Sequence, residues 1–145
     1  MFVELANAKL KASEGKRYGA LRVEIVRDIG SLETAAGAWN RLALAAPQRL
    51  PMLSHAWVAA YLTHRLAPRE TWRCALAYDA DALVGVLCVV VTPHRLLGRW
   101  FPRLRAPHDS HTRSGDALLA EGREAEIFQA LLVALRRSVP GLSER

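Results

Sequence analysis

Cysteine, lysine and long apolar runs are all scarce in this 145-residue chain, and each scarcity narrows what it can be. Two cysteines, Cys74 and Cys88, are too few for a disulfide framework. Both lie in apolar, strand-like sequence, so they are expected as buried, reduced thiols, and a reducing, cytoplasmic compartment follows from that expectation. The longest unbroken apolar run, Leu83–Thr92, is about half what a helix needs to span a bilayer. The N-terminus offers no continuous apolar segment and carries Glu4, which reads against a secretory signal. Lysine is confined to Lys9, Lys11 and Lys16, so the net charge of +6 comes from arginine. Such a surplus suits an anionic partner (nucleic acid, phosphate, CoA or a membrane face) or simply reflects coding bias. Half the residues are apolar, which fits one folded domain with a real core rather than a disordered chain.

What is present is organised around Leu83–Thr92. The run is β-branched and does not alternate with polar residues, so it reads as a strand buried on both faces. Thr71–Tyr78 is a second strand, and the short polar break Asp79–Ala82 makes the two an antiparallel hairpin. Centring a two-residue turn on Ala80 and Asp81 pairs Cys74 with Leu87 and Arg73 with Cys88, which puts the two thiols out of register. Residues 1–20 read as a flexible polar tail and 21–145 as one domain. Leu21–Ile29 alternates like a half-buried strand. Ser31 is expected to cap a first helix whose apolar face is Leu32, Ala35, Ala36, Trp39, Leu42 and Ala43. Ser54 caps a second, with Leu53 and Val58 as its hydrophobic staple and Trp57, Tyr61 and Leu62 as its bulky side. Residues 94–105 are expected as one further strand, interrupted near Gly98 and Pro102. A polar loop over Pro107–Ser114, a brief strand at Asp116–Ala120 and a helix over Arg123–Arg137 complete the chain. The apolar stripe of that helix is Ile127, Leu131 and Leu135, with Phe128 and Leu132 alongside.

Two places carry chemistry. The loop holding His108, Asp109, Ser110, His111 and Arg113 is the densest set of ionisable and hydroxyl groups. Its two histidines around an aspartate suit a general base with an orienting carboxylate, substrate contact, or a solvated loop whose Asp and Ser cap turns. His-x-x-His spacing on a loop is weak evidence for a metal, with only Asp109 or Asp116 nearby as further ligands, so no metal site is assigned. The second place is Arg95, Arg99, Arg103 and Arg105 with Trp100 and Phe101, in a stretch without acids from Asp81 to Asp109. Such a strand can bind an anionic partner, or protect a sheet edge with solvated arginines. Trp57 and Tyr61 either line a pocket or pack in the core. Neither Ser54 nor Ser110 has the surroundings of a nucleophile elbow.

The order strand, helix, helix, strand meander, helix resembles the N-terminal part of a GNAT-fold acyltransferase. Within that fold the chain is similar to the bacterial group of CelD-type cellulose-biosynthesis acetyltransferases and, more distantly, FemAB-like aminoacyltransferases. The resemblance rests on Trp39-Asn-Arg-Leu, Pro51-Met-Leu-Ser-His-Ala-Trp57, Asp81-Ala-Leu-Val-Gly-Val-Leu87, and His108-Asp109 through Gly115-Asp116-Ala-Leu-Leu119. It implies an α/β (α+β) fold with a mostly antiparallel central sheet flanked by helices, and transfer of an acyl group from acetyl-CoA or another acyl-CoA to an amine. The amine would belong to a small molecule or a polysaccharide precursor. His108, Asp109, His111, Asp116 and Trp57 would then lie on the acceptor side, with no catalytic base assigned. Enzymes of this fold hold the CoA pyrophosphate on a turn of pattern Arg/Gln-x-x-Gly-x-Gly/Ala before a helix. The nearest match, Arg95-Leu-Leu-Gly98-Arg-Trp100, places a bulky indole where a small residue is required and is rejected. The acyl-CoA side is therefore expected in a further half of the chain or in a second chain. The alternative is a non-catalytic binding or assembly module using Arg95–Arg105, with nucleic acid the less favoured partner.

Overall fold

Strand β4, Ala82–Leu96, is the axis of the fold. A computed structural model of the chain describes residues 15–108 and 117–142. The other strands among them are β1 (Lys16–Tyr18), β2 (Leu21–Val26), β3 (Thr71–Asp79), β5 (Arg99–Arg105) and β6 (Leu118–Leu119). They form one antiparallel sheet in the order β1-β2-β3-β4-β5, with β6 pairing β4 beside β5. The helices are α1 (Ile29–Thr34), α2 (Ala36–Ala45), a 3-10 turn at Pro51–Leu53, α3 (His55–His64) and α4 (Glu124–Ser138). The chain is thus α+β, as the sequence indicates at that level.

The helices divide the core in two. On one face α1–α3 bury Leu32, Trp39, Leu42, Val58 and Leu62 against Cys74, Leu76, Val86, Cys88 and Val90. On the other, α4 buries Ile127, Ala130, Leu131, Ala134 and Leu135 against Leu21, Val23, Ala75, Ala77, Leu87 and Val89. A strand covered on both faces has no need of polar alternation, and residues 85–90 of β4 are all buried. Gly85 shows how closely α4 approaches. A β-carbon there would lie 2.3 Å from Ile127 Cγ2 and 3.1 Å from Leu131 Cδ1. Phe128 and Leu132 fall off the buried stripe and are exposed.

The hairpin departs from the expected register through one residue. The turn sits where the sequence puts it, with Asp79 opposite Ala82 and Tyr78 opposite Leu83. Then Ala77 pairs with Gly85, so Val84 is an extra residue in β4, a β-bulge. Every pair beyond it shifts by one, and Cys74 faces Cys88 instead of Leu87. The two sulfurs are bonded, with Cα atoms 4.1 Å apart. The expectation of two reduced thiols is therefore corrected, and the inference to a reducing compartment loses its basis. Backbone pairing elsewhere holds the bulge, since the Val84 carbonyl accepts from the Ala120 N–H at 2.8 Å.

Three further expectations change. Lys16–Tyr18, read as part of a tail, pairs with β2 through a two-residue turn. Gly19 supplies its positive φ of 62°. Asp28, not Ser31, caps α1: its Oδ1 accepts from the Ser31 N–H at 2.8 Å, and Ser31 Oγ donates to Oδ2 at 2.8 Å. Ser31 lies inside the first turn, and β2 accordingly stops at Val26. Finally, residues 94–105 are not one interrupted strand. β4 runs on to Leu96, turns at Leu97 and Gly98, and returns as β5. Pro93 and Pro102 face each other in a pair that exchanges no hydrogen bonds, so neither missing N–H breaks this ladder. Ser54, by contrast, caps α3 as expected, accepting from the Trp57 N–H, and Leu53 and Val58 are both buried.

Candidate functional site

The end of β5 meets α3 and the start of β3 in a polar cluster built on Glu70. Its carboxylate receives a forked pair of bonds from Arg105, Nε to Oε2 at 2.9 Å and Nη2 to Oε1 at 3.0 Å. Thr92 Oγ1 donates to Oε2 at 2.7 Å, and the Ala67 N–H donates to Oε1 at 2.9 Å. The Glu70 side chain is only 9% exposed, so these four donors stand in for water. The Arg105 bond, above the other contacts, lowers the Glu70 pKa from 4.5 to about 2, although burial opposes the shift. Glu70 in turn holds Arg105 more firmly protonated than usual.

From this anchor the cluster reaches the following loop. Arg105 Nη1 donates to Tyr61 Oη at 2.9 Å, and the Tyr61 hydroxyl donates to the His108 carbonyl at 3.1 Å. Arg105 Nη1 also touches the carbonyls of Ala106 and His108, at 3.2 and 3.4 Å. Tyr61 itself is buried, and the Arg105 guanidinium lies 5.9 Å from its ring centroid. The backbone at Ala106 and His108 is therefore tied to α3 and to the residue before β3 through side chains whose own partners are satisfied.

This arrangement sorts the candidate residues. His108 is described: its backbone is engaged by Tyr61 and Arg105, and its side chain is exposed. Asp109, His111 and Asp116 lie outside the described residues. Trp57, on α3, is 46% exposed rather than packed in the core. The four arginines do not act as one row. Arg105 is committed to Glu70 and Tyr61, whereas Arg95, Arg99 and Arg103 lie on the outer part of the hairpin and are exposed. Register divides even these, because Arg99 and Arg103 alternate with Trp100, and Arg95 pairs opposite Trp100. Nothing in the sequence singles out Glu70. It stands 35 residues from Arg105 and no local pattern joins them; an acidic residue just before a strand gives no signal by itself.

Neither turn that precedes a possible phosphate site fits the CoA pyrophosphate. Arg95–Trp100 is a hairpin turn between two strands, with no helix after it. The turn into α4 contains Gly122, at φ 96°, but Glu124 and Glu126 occupy the first helical turn. The backbone N–H groups of Glu124 itself and of Gly122 hold the Glu124 carboxyl below its usual range, so this turn already faces an anion of its own chain. Arg123 forks onto Glu126 at 3.0 Å and reaches Asp79 at 2.7 Å, clasping the β3–β4 turn to α4.

A second buried polar group is structural. His55 Nε2–H donates to the Leu32 carbonyl at 2.9 Å and packs edge-on to Trp39, whose indole N–H donates to the Leu53 carbonyl at 2.7 Å. These bonds lock α1, α2 and α3 together and use up the ring nitrogen that faces the core.

Comparisons with protein-family models, with curated proteins and with solved structures return no match to this chain. No helix among the described residues is long and apolar enough to cross a membrane.

Proposed function

We propose that the chain is the acceptor-side half of a GNAT-type N-acyltransferase, with acyl-CoA held by residues other than those described. The observation that supports this reading most is the anchored backbone at His108. Tyr61 and Arg105 both bind the His108 carbonyl, and Glu70 fixes Arg105. These bonds fix the backbone at His108, the point from which the stretch with the other candidate acceptor residues departs, and a fixed point of departure favours orienting an amine. The element order gives further support, since strands, helices, an antiparallel strand meander and a closing helix follow one another much as the resemblance implies. On this reading His108, Asp109, His111 and Asp116 bind and orient the amine of a small molecule or polysaccharide precursor.

The test is acetyl-CoA titration of the full natural polypeptide, followed by transfer assays with amine acceptors. Asp109→Asn and His111→Ala are expected to raise KM for the amine and leave acetyl-CoA affinity unchanged. A full polypeptide that binds no acyl-CoA overturns the reading. A second reading, a non-catalytic binding or assembly module, is favoured by one observation: β5 is an edge strand among the described residues, and its hairpin with β4 runs past the end of β3.

A further inference from the structure

β3 begins at Thr71, opposite Val91, so from there toward the β4–β5 turn those two strands continue as a two-stranded ribbon. At its tip Leu96, Leu97 and Trp100 are 55%, 94% and 57% exposed, three of the seven large apolar side chains exposed among the described residues. Leu97 also occupies a left-handed backbone position, with φ 50°, followed by Gly98 at φ 76°. Asn-Gly is the residue pair that such a two-residue turn favours, and a leucine there is strained. A side chain 94% exposed contributes almost nothing to the core. The fold therefore gains nothing from this leucine, and strained positions that bring no packing gain cluster at functional sites.

The charge carried by β4 and β5 themselves has one sign. From Ala82 to His108 there is no acidic residue, while Arg95, Arg99 and Arg103 line the ribbon. Arg69, from the loop before β3, comes to 6.0 Å from the Trp100 ring centroid, and Arg95 to 6.0 Å as well. An apolar apex with an interfacial aromatic and a cationic collar matches the layered chemistry of an anionic bilayer surface.

We propose that the β4–β5 tip docks on anionic membranes, Leu96, Leu97 and Trp100 entering the headgroup boundary while Arg69, Arg95 and Arg99 meet lipid headgroups. Docking in the interface needs no spanning helix. A single-stranded nucleic acid fits less well, because bases stack on aromatic faces and the apex consists of two aliphatic side chains. Trp100, the one aromatic at the tip, already has two guanidinium groups over its ring. The inference is independent of the acyltransferase reading.

Co-sedimentation of the full chain with vesicles tests it, comparing phosphatidylcholine alone with phosphatidylcholine containing about 30 mol% phosphatidylserine. Binding is expected with the anionic vesicles only, weakening as salt rises. Leu97→Asn suits the turn better than leucine, so it is expected to keep or raise unfolding stability while lowering vesicle binding about tenfold. Leu96→Ser should act in the same direction. Arg95→Gln and Arg99→Gln should each lower binding about fivefold. Emission should shift to the blue on adding anionic vesicles, and Trp100→Phe should remove that shift. No sedimentation with anionic vesicles overturns the proposal, as does binding that Leu97→Asn and Leu96→Ser leave unchanged. Tighter binding to a single-stranded oligonucleotide, insensitive to Leu97→Asn, would replace it with the nucleic-acid alternative.

Discussion

β4 belongs to two hairpins, and its two halves behave as different materials. Its first half, paired with β3, is covered by α1–α3 on one face and α4 on the other, and is cross-linked through Cys74–Cys88. Its second half, paired with β5, carries Pro93 opposite Pro102 and ends in an exposed turn. The first half is rich in Val and Leu, whereas the second carries Pro93, His94 and Arg95. Helices lie above and below only the apolar half, so the strand's own residues and the elements that cover it agree on where burial stops.

Reduction should remove the largest share of that difference. The Cys74–Cys88 bond closes a loop of sequence separation 14, and cross-links of that size restrain the unfolded chain by about 3 kcal/mol. Dithiothreitol is therefore expected to lower the urea midpoint markedly, an effect the variant Cys74→Ala/Cys88→Ala should no longer show. Next comes the Glu70 cluster, which joins the two halves at Thr92. Glu70→Gln should cost about 2 kcal/mol at neutral pH, the value of charge-assisted bonds left half-made. Because folding lowers the Glu70 pKa from 4.5 to about 2, its contribution is complete above about 4.5. It fades as pH falls through about 2, and the gap between wild type and Glu70→Gln should close over that interval. A gap that persists at the acid end would show that the carboxylate charge is not the source.

Gly85→Ala sharpens the contrast from the packed side. The new methyl meets Ile127 and Leu131 of α4, and overpacking of this kind should cost about 1.5 kcal/mol in chemical denaturation. The same measurement on Leu97→Asn, at the free end of the strand, should give a gain of about 0.5 kcal/mol, because asparagine tolerates the left-handed conformation. If Leu97→Asn destabilised the chain, the apex would have packing partners and the ribbon would not be free.

Much of the fold is legible in the residues. The apolar run of β4, the Ser54 cap and the Ile127–Leu131–Leu135 stripe each follow from local pattern, and each stands where that pattern puts it. Three things were not legible. The bulge at Val84 leaves no trace in the hydrophobic pattern of Leu-Val-Gly-Val, because a strand buried on both faces has no polar alternation to slip out of phase. Gly85 is the one local sign of it, since an isolated glycine in a strand often marks a bulge. The β4–β5 turn was hidden because Leu97 is not a turn-former, although Gly98 beside it is. The Glu70–Arg105–Tyr61 cluster joins three segments distant in sequence, so only tertiary structure assembles it. Of the candidate residues, His108 is drawn into that cluster through its carbonyl, Arg105 through its side chain, and Trp57 stands apart on the helix surface.

The single extra residue at Val84 also turns the disulfide into a proofreading mark. Were the hairpin to zip without the bulge, Cys88 would stand across from Arg73 and the two sulfurs would point to opposite faces of the sheet. The bond can close only in a chain that has already admitted Val84 as an unpaired residue. An oxidised 74–88 pair is then a durable record that this hairpin found its native alignment, and a slipped copy would be recognisable by two thiols that remain titratable.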